Sequence, residues 1–186
     1  MRSQYCFARR WPKLLQHDGG MAGDDEPLTR RDGSLDARSR AFLEAARTAT
    51  LATIAPDRRP RLVPICFVVG DVDPAGRLRL YSPLDDKPKA ATDPHRLARV
   101  RDVLARPDVT LLVDRWSEDW SRLGWLRLEA RADVLEPTPA DRAEHAAAVA
   151  ALRAKYTQYG SHGLEARPIL RFAIERVVAW GHLGAG

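Results

Sequence analysis

Apolar and β-branched residues recur along Thr50–Ala55, Arg61–Gly70, Leu78–Ser82, Val109–Trp116, Trp125–Leu135 and Pro168–Trp180. These stretches have the length and alternation of strands with one buried face. Polar turns at Pro56–Pro60 and Asp71–Gly76 separate the first three. A second period marks helices. Phe42, Leu43 and Ala46 share one face of a helix that starts from a cap at Ser34 or Asp36 and runs to about Ala49. Leu97, Val100, Val103 and Leu104 follow Asp93-Pro94 at helical spacing, with proline at the first helical position and Pro107 as the stop. Thr138-Pro139-Ala140-Asp141 opens an alanine-rich helix that reaches about Tyr156.

Six strands joined mostly by hairpin-sized links, with three helices before or between them, predict a mainly β fold with flanking helices. The expected architecture is a six-stranded antiparallel barrel over residues 35–186. Residues 1–34 sustain no period and are rich in glycine and acidic residues, so they read as a disordered tail. The longest apolar run, Leu62–Val69, has a strand's length and falls far short of the roughly 20 residues of a membrane-spanning helix.

Composition changes this picture little. The chain has 186 residues with 45% hydrophobic residues and a net charge of +5. The excess is mostly arginine, which reads as a solvated surface rather than a nucleic-acid footprint. The two cysteines, Cys6 and Cys66, form no disulfide framework or zinc spacing, so a reducing cytoplasm is expected. Arg9, Arg10 and Lys13 are not followed by the apolar core of an export signal. The histidines His95, His145 and His162 are scattered without metal spacing, and no metal site is expected.

Several short pieces carry a resemblance through their order: Leu51-Ala52-Thr53-Ile54, Val63-Pro64-Ile65-Cys66-Phe67, Lys87-Pro88-Lys89, Leu111-Leu112-Val113-Asp114 and Glu118-Asp119-Trp120-Ser121. Over about Leu35 to Gly181 the chain resembles the split β-barrel oxidoreductases of the pyridoxamine-phosphate-oxidase-like superfamily, in the branch that uses the deazaflavin coenzyme F420. The resemblance implies a homodimer with cofactor sites at the interface, and hydride transfer between F420 and a small organic acceptor. The same fold binding FMN, as an oxidase or reductase, is the nearest alternative. A non-enzymatic protein holding a tetrapyrrole is a third.

The resemblance also implies site residues. Arg61, Leu62, Val63 and Pro64 lie on the strand along which relatives lay the ring. Pro64 lacks an N–H and so belongs at a sheet edge or bulge, which a ligand groove or a plain edge strand would both provide. Lys87 and Lys89, stiffened by Pro88, supply fixed positive charge suited to a phosphodiester, although a solvated basic loop has the same spacing. Ser82 is either a donor to phosphate or a residue that shapes its loop. Trp120 and Ser121, with Trp125, are placed to wall a tricyclic ring, while Trp116 and Trp180 suit a dimer core equally well. Tyr156 and Tyr159 are candidate proton donors that nothing distinguishes. One departure concerns the turn before the second strand, Asp57-Arg58-Arg59, where relatives carry Asp-Gly. Arginine resists positive φ, so this turn is expected to differ in type.

Overall fold

A computed structural model describes residues 27–84 and 93–184. The chain order is β1 (Leu28–Arg30), α1 (Ala37–Ala45), β2 (Ala49–Ile54), β3 (Pro60–Ile65), β4 (Val68–Val72), β5 (Leu78–Pro83), α2 (Ala98–Ala105), β6 (Asp108–Arg115), β7 (Gly124–Leu135), α3 (Arg142–Lys155) and β8 (Ile169–Gly181). All pairings are antiparallel, in the order β3-β2-β6-β7-β8-β5-β4, with β1 added to β8. The mainly β reading with flanking helices stands, but the described sheet has eight strands rather than six.

The extra strands have separate causes. The expected strand Arg61–Gly70 breaks at Cys66-Phe67 into β3 and β4, which become the two ends of the sheet. At the break, Phe67 donates its N–H to the Tyr156 hydroxyl (3.1 Å). That hydroxyl lies 2.7 Å from the Phe67 carbonyl and 2.8 Å from the Arg47 carbonyl, either of which can take its single proton. A buried side chain thus replaces the strand ladder. Only Cys66 and Phe67 link the end strands, so the sheet has to curl back toward itself without closing.

β1 lies inside the stretch assigned to the tail. β8 has 13 residues, and β5 covers its edge only from Ile169 to Ala173, leaving Val177–Ala179 for Leu28–Arg30. Gly33 holds this segment down. At its φ of +68°, a Cβ would meet the Ile174 carbonyl oxygen at 2.5 Å.

The helices are shorter than their periodicity suggested. Asp36 caps α1 by accepting from the Ser39 N–H at 2.8 Å, and α1 stops at Ala45 because Ala49 already pairs with Ile65. Asp93-Pro94 starts a 3-10 turn, Pro94–Arg96, and α2 begins only at Ala98. The turn Asp57-Arg58-Arg59 corrects the expectation above: Arg58 takes the left-handed conformation itself, with φ +67°. Bonds between Ala55 and Arg59 (3.0 Å) and between Arg58 and Ala55 (2.8 Å) hold it there.

Two apolar clusters hold the fold. The larger fills the curled sheet with Leu51, Leu111, Leu126, Leu128 and Phe172, closed by Phe42 and Leu43 of α1 and Val100 and Val103 of α2. The smaller lies under α3, where Val149 and Leu152 meet Val68, Tyr81, Tyr156 and Tyr159.

Candidate cofactor site

Among the described strands β3 stands at one end of the sheet, so one edge of its backbone has no partner among them. This is the position that the missing N–H of Pro64 called for. Alternation divides the expected site residues between two faces. Arg61 and Val63 sit opposite Thr53 and Leu51, which are buried, whereas Leu62 and Pro64 point outward and Leu62 is 65% exposed.

Arg61 is fixed from below. Its Nη1 donates to Asp102 of α2 at 2.5 Å, and the Thr53 hydroxyl donates to the same carboxylate oxygen at 2.8 Å. Asp102 is only 2% exposed, yet the Arg61 side chain remains 38% exposed. Arg106, just beyond α2, donates to the Ala55 carbonyl at 2.9 Å and ties the helix to the β2–β3 turn. Asp102 was missed in the sequence. Its only signal is being the single acid among the arginines of residues 96–106.

The other expected residues are dispersed. Trp120 and Ser121 form a 3-10 turn at the tip of the β6–β7 hairpin, where Trp120 is 77% and Trp116 72% exposed. Thr50 pairs with both Pro64 and Leu112, so this tip extends past the Pro64 end of β3, away from Arg61. The Ser121 hydroxyl donates to Asp119 at 2.6 Å, and together with the Ser121 N–H it holds that carboxyl below its usual range. Ser82 is buried in β5, one position past the Tyr81–Val68 pair and therefore near the seam. Lys87 and Lys89 lie outside the described residues. Trp125 and Trp180 stack on neighbouring strands with ring centres 6.3 Å apart.

The two candidate proton donors are enclosed. Tyr156 and Tyr159 are both buried, and burial pushes the Tyr156 hydroxyl above its ordinary pKa. A further cluster was not foreseen. Glu144 of α3 accepts from the Tyr81 hydroxyl (2.6 Å), Arg79 (2.7 Å) and Arg171 (2.9 Å), and Arg171 also grips Asp133. It borders a cavity of about 510 Å³ between β4 and α3. Burial and the Glu144 contact raise the Tyr81 pKa, so that group stays protonated. Among the described residues no group of His, Cys, Asp and Glu could hold a metal ion, and no helix is long and apolar enough to cross a membrane.

The family model for pyridoxamine 5'-phosphate oxidase matches residues 35–181. The chain belongs to this family. Family members are typically oxidoreductases of a flavin-binding superfamily, and the open eight-stranded sheet is their split β-barrel. Solved structures agree on this fold. A conserved protein of Mycobacterium tuberculosis aligns at a TM-score of 0.56 and 21% identity, over 84% of this chain and 96% of that one. A FAD-binding protein from Mesorhizobium loti gives 0.53 and 21%, over 82% and 96%. The heme storage protein of Vibrio cholerae gives 0.52 and 14%, over 78% and 95%. No curated protein matches the sequence.

Proposed function

We propose that the protein is an oxidoreductase that binds coenzyme F420 along the open edge of β3 and transfers hydride between the deazaflavin and a small organic acceptor. One observation carries the reading: a half-exposed guanidinium, Arg61, is locked by a buried carboxylate beside an unpaired strand edge. Those two features together suit an anionic, planar cofactor. The bound deazaflavin would supply the hydride. The chain's own task is to bind, orient and exclude water. The backbone of Arg61–Pro64 seats the ring, and the Arg61 side chain is assigned to the phosphodiester together with Lys87 and Lys89. Trp120 and Ser121 are assigned to the rim and Ser82 to the loop side.

The proposed working unit is a homodimer. Leu62, Leu112, Trp116 and Trp120 are exposed on β3, β6 and the hairpin after it, an apolar surface that a second copy would cover. The acceptor is a small molecule, and the proposed location is the cytoplasm.

FMN is the second reading, and the family match favours it. Parallel fluorescence titrations of the purified protein with F420 and FMN separate the two. Tight F420 binding with weak FMN binding supports the proposal, and the reverse order moves the assignment to FMN. Binding of neither, with a Soret band on heme titration, replaces both with a tetrapyrrole-binding role.

A further inference from the structure

We infer that Asp102 and Thr53 form a positioning device that aims Arg61 at the phosphate of the cofactor, so that phosphate recognition depends on a buried carboxylate the ligand never touches. This rests on the proposal that β3 carries a phosphate-bearing cofactor.

The asymmetry of the pair is the starting point. Asp102 is almost wholly buried, and its partner is not. Here Asp102 occupies one N–H of a guanidinium that has five. The Thr53 hydroxyl, itself 1% exposed, fixes the carboxylate from the sheet side. The restraint matters because a free arginine would lose rotamer entropy on binding an anion. Held in advance, Arg61 loses less.

The surroundings set the sign of the ligand. Residues 55–61 and 96–106 contain seven arginines and two aspartates. Asp57 is turned to the Arg59 N–H at 3.2 Å, and Asp102 is the buried acid just described. The local field therefore favours an anion. Arg61 is the member of this group whose direction is fixed by a buried acid.

Riboflavin and FMN differ only by the phosphate, so their affinity ratio isolates its recognition; for a protein that binds F420 and not FMN, the same ratio is read between F420 and its deazaflavin precursor without the phosphodiester arm. Asp102→Asn preserves shape but removes the charge that holds Arg61. The expected result is a fall of roughly tenfold or more in the FMN-to-riboflavin ratio, about the worth of one charge-assisted hydrogen bond. Riboflavin affinity itself should barely change. If both flavins weaken equally, or the ratio stays put, the pair is only a fastener and the inference is overturned. Should D102N fail to fold, Thr53→Val removes one restraint on the carboxylate. It should lower the ratio by a smaller factor, and Thr53→Ser should restore it. An unchanged ratio in T53V overturns the inference.

A parent protein that binds neither FMN nor F420 ends the functional proposal, and inorganic pyrophosphate then decides the clamp. Thermal stabilisation by pyrophosphate that D102N abolishes supports the positioning role, and no stabilisation of the parent overturns it.

Discussion

Two charge clusters lie under two helices, and their difference is instructive. Under α3, Glu144 and Asp133 face Arg79 and Arg171, with the Tyr81 hydroxyl as a further donor. Acids and bases match, and Arg79, Arg171 and Glu144 are all largely enclosed. Under α2, one buried acid holds one arginine that leans into solvent among further arginines. A matched, enclosed network consumes its own hydrogen-bonding capacity and serves the fold. A lopsided one leaves capacity for a partner. In the cavity beside Glu144 the polar groups Arg79, Tyr81 and Glu144 answer one another, whereas the β3 edge presents a guanidinium with capacity to spare.

The widest separation between the two should come from Glu144→Gln. It weakens three hydrogen bonds at once and should destabilise the protein by about 2–3 kcal/mol in urea unfolding, while the FMN-to-riboflavin ratio stays constant. A changed ratio would break the comparison. Tyr156→Phe comes next. It strips the Phe67 N–H and one of the two carbonyls, of Phe67 or Arg47, of their partner at the seam between the two regions, an expected loss of about 1–3 kcal/mol. Arg58→Gly should act the other way. Relief of a left-handed arginine beside the Arg61 end of β3 should raise stability by about 0.5–1 kcal/mol, with cofactor affinity unchanged. A lower melting temperature would refute the conformational reading of that turn.

The smallest effect is a pH dependence. His95 lies 2.7 Å from Glu136 and 3.3 Å from Asp93, and these partners, Glu136 foremost, raise its pKa above the ordinary 6.5. A raised histidine stabilises fully below 6.5, and the contribution is lost as pH climbs through the folded value. His95→Gln should therefore remove a small decline in melting temperature above pH 6.5. An identical profile in the variant would mean that the exposed pair contributes nothing.

Much of the fold was legible because strands with one buried face alternate whatever their neighbours. Pro64 revealed its edge position by chemistry alone, since a residue without an N–H has a limited choice of places. The misses share a cause. The break at Phe67 depends on a tyrosine 89 residues away, β1 depends on the unused end of β8, and Asp102 acquires meaning only when Thr53 and Arg61 meet it. Local patterns do not carry such long-range partnerships. Arg58 failed differently. A steric preference worth about 1–2 kcal/mol was outweighed by the bonds that close its turn.

The seam also has a consequence for the order in which the protein is made. β3 and β4 are neighbours in sequence but stand at opposite ends of the sheet, and the path between them runs through β8, the most C-terminal of the described strands. Until Ile169–Gly181 emerges, the β4–β5 hairpin has no strand joining it to β2, β3, β6 and β7. The pairing that joins the two parts of the described sheet therefore awaits β8. Folding of this kind is slow for its size, because the joining pairing of β5 with β8, such as Arg79 with Ala173, spans about half the chain.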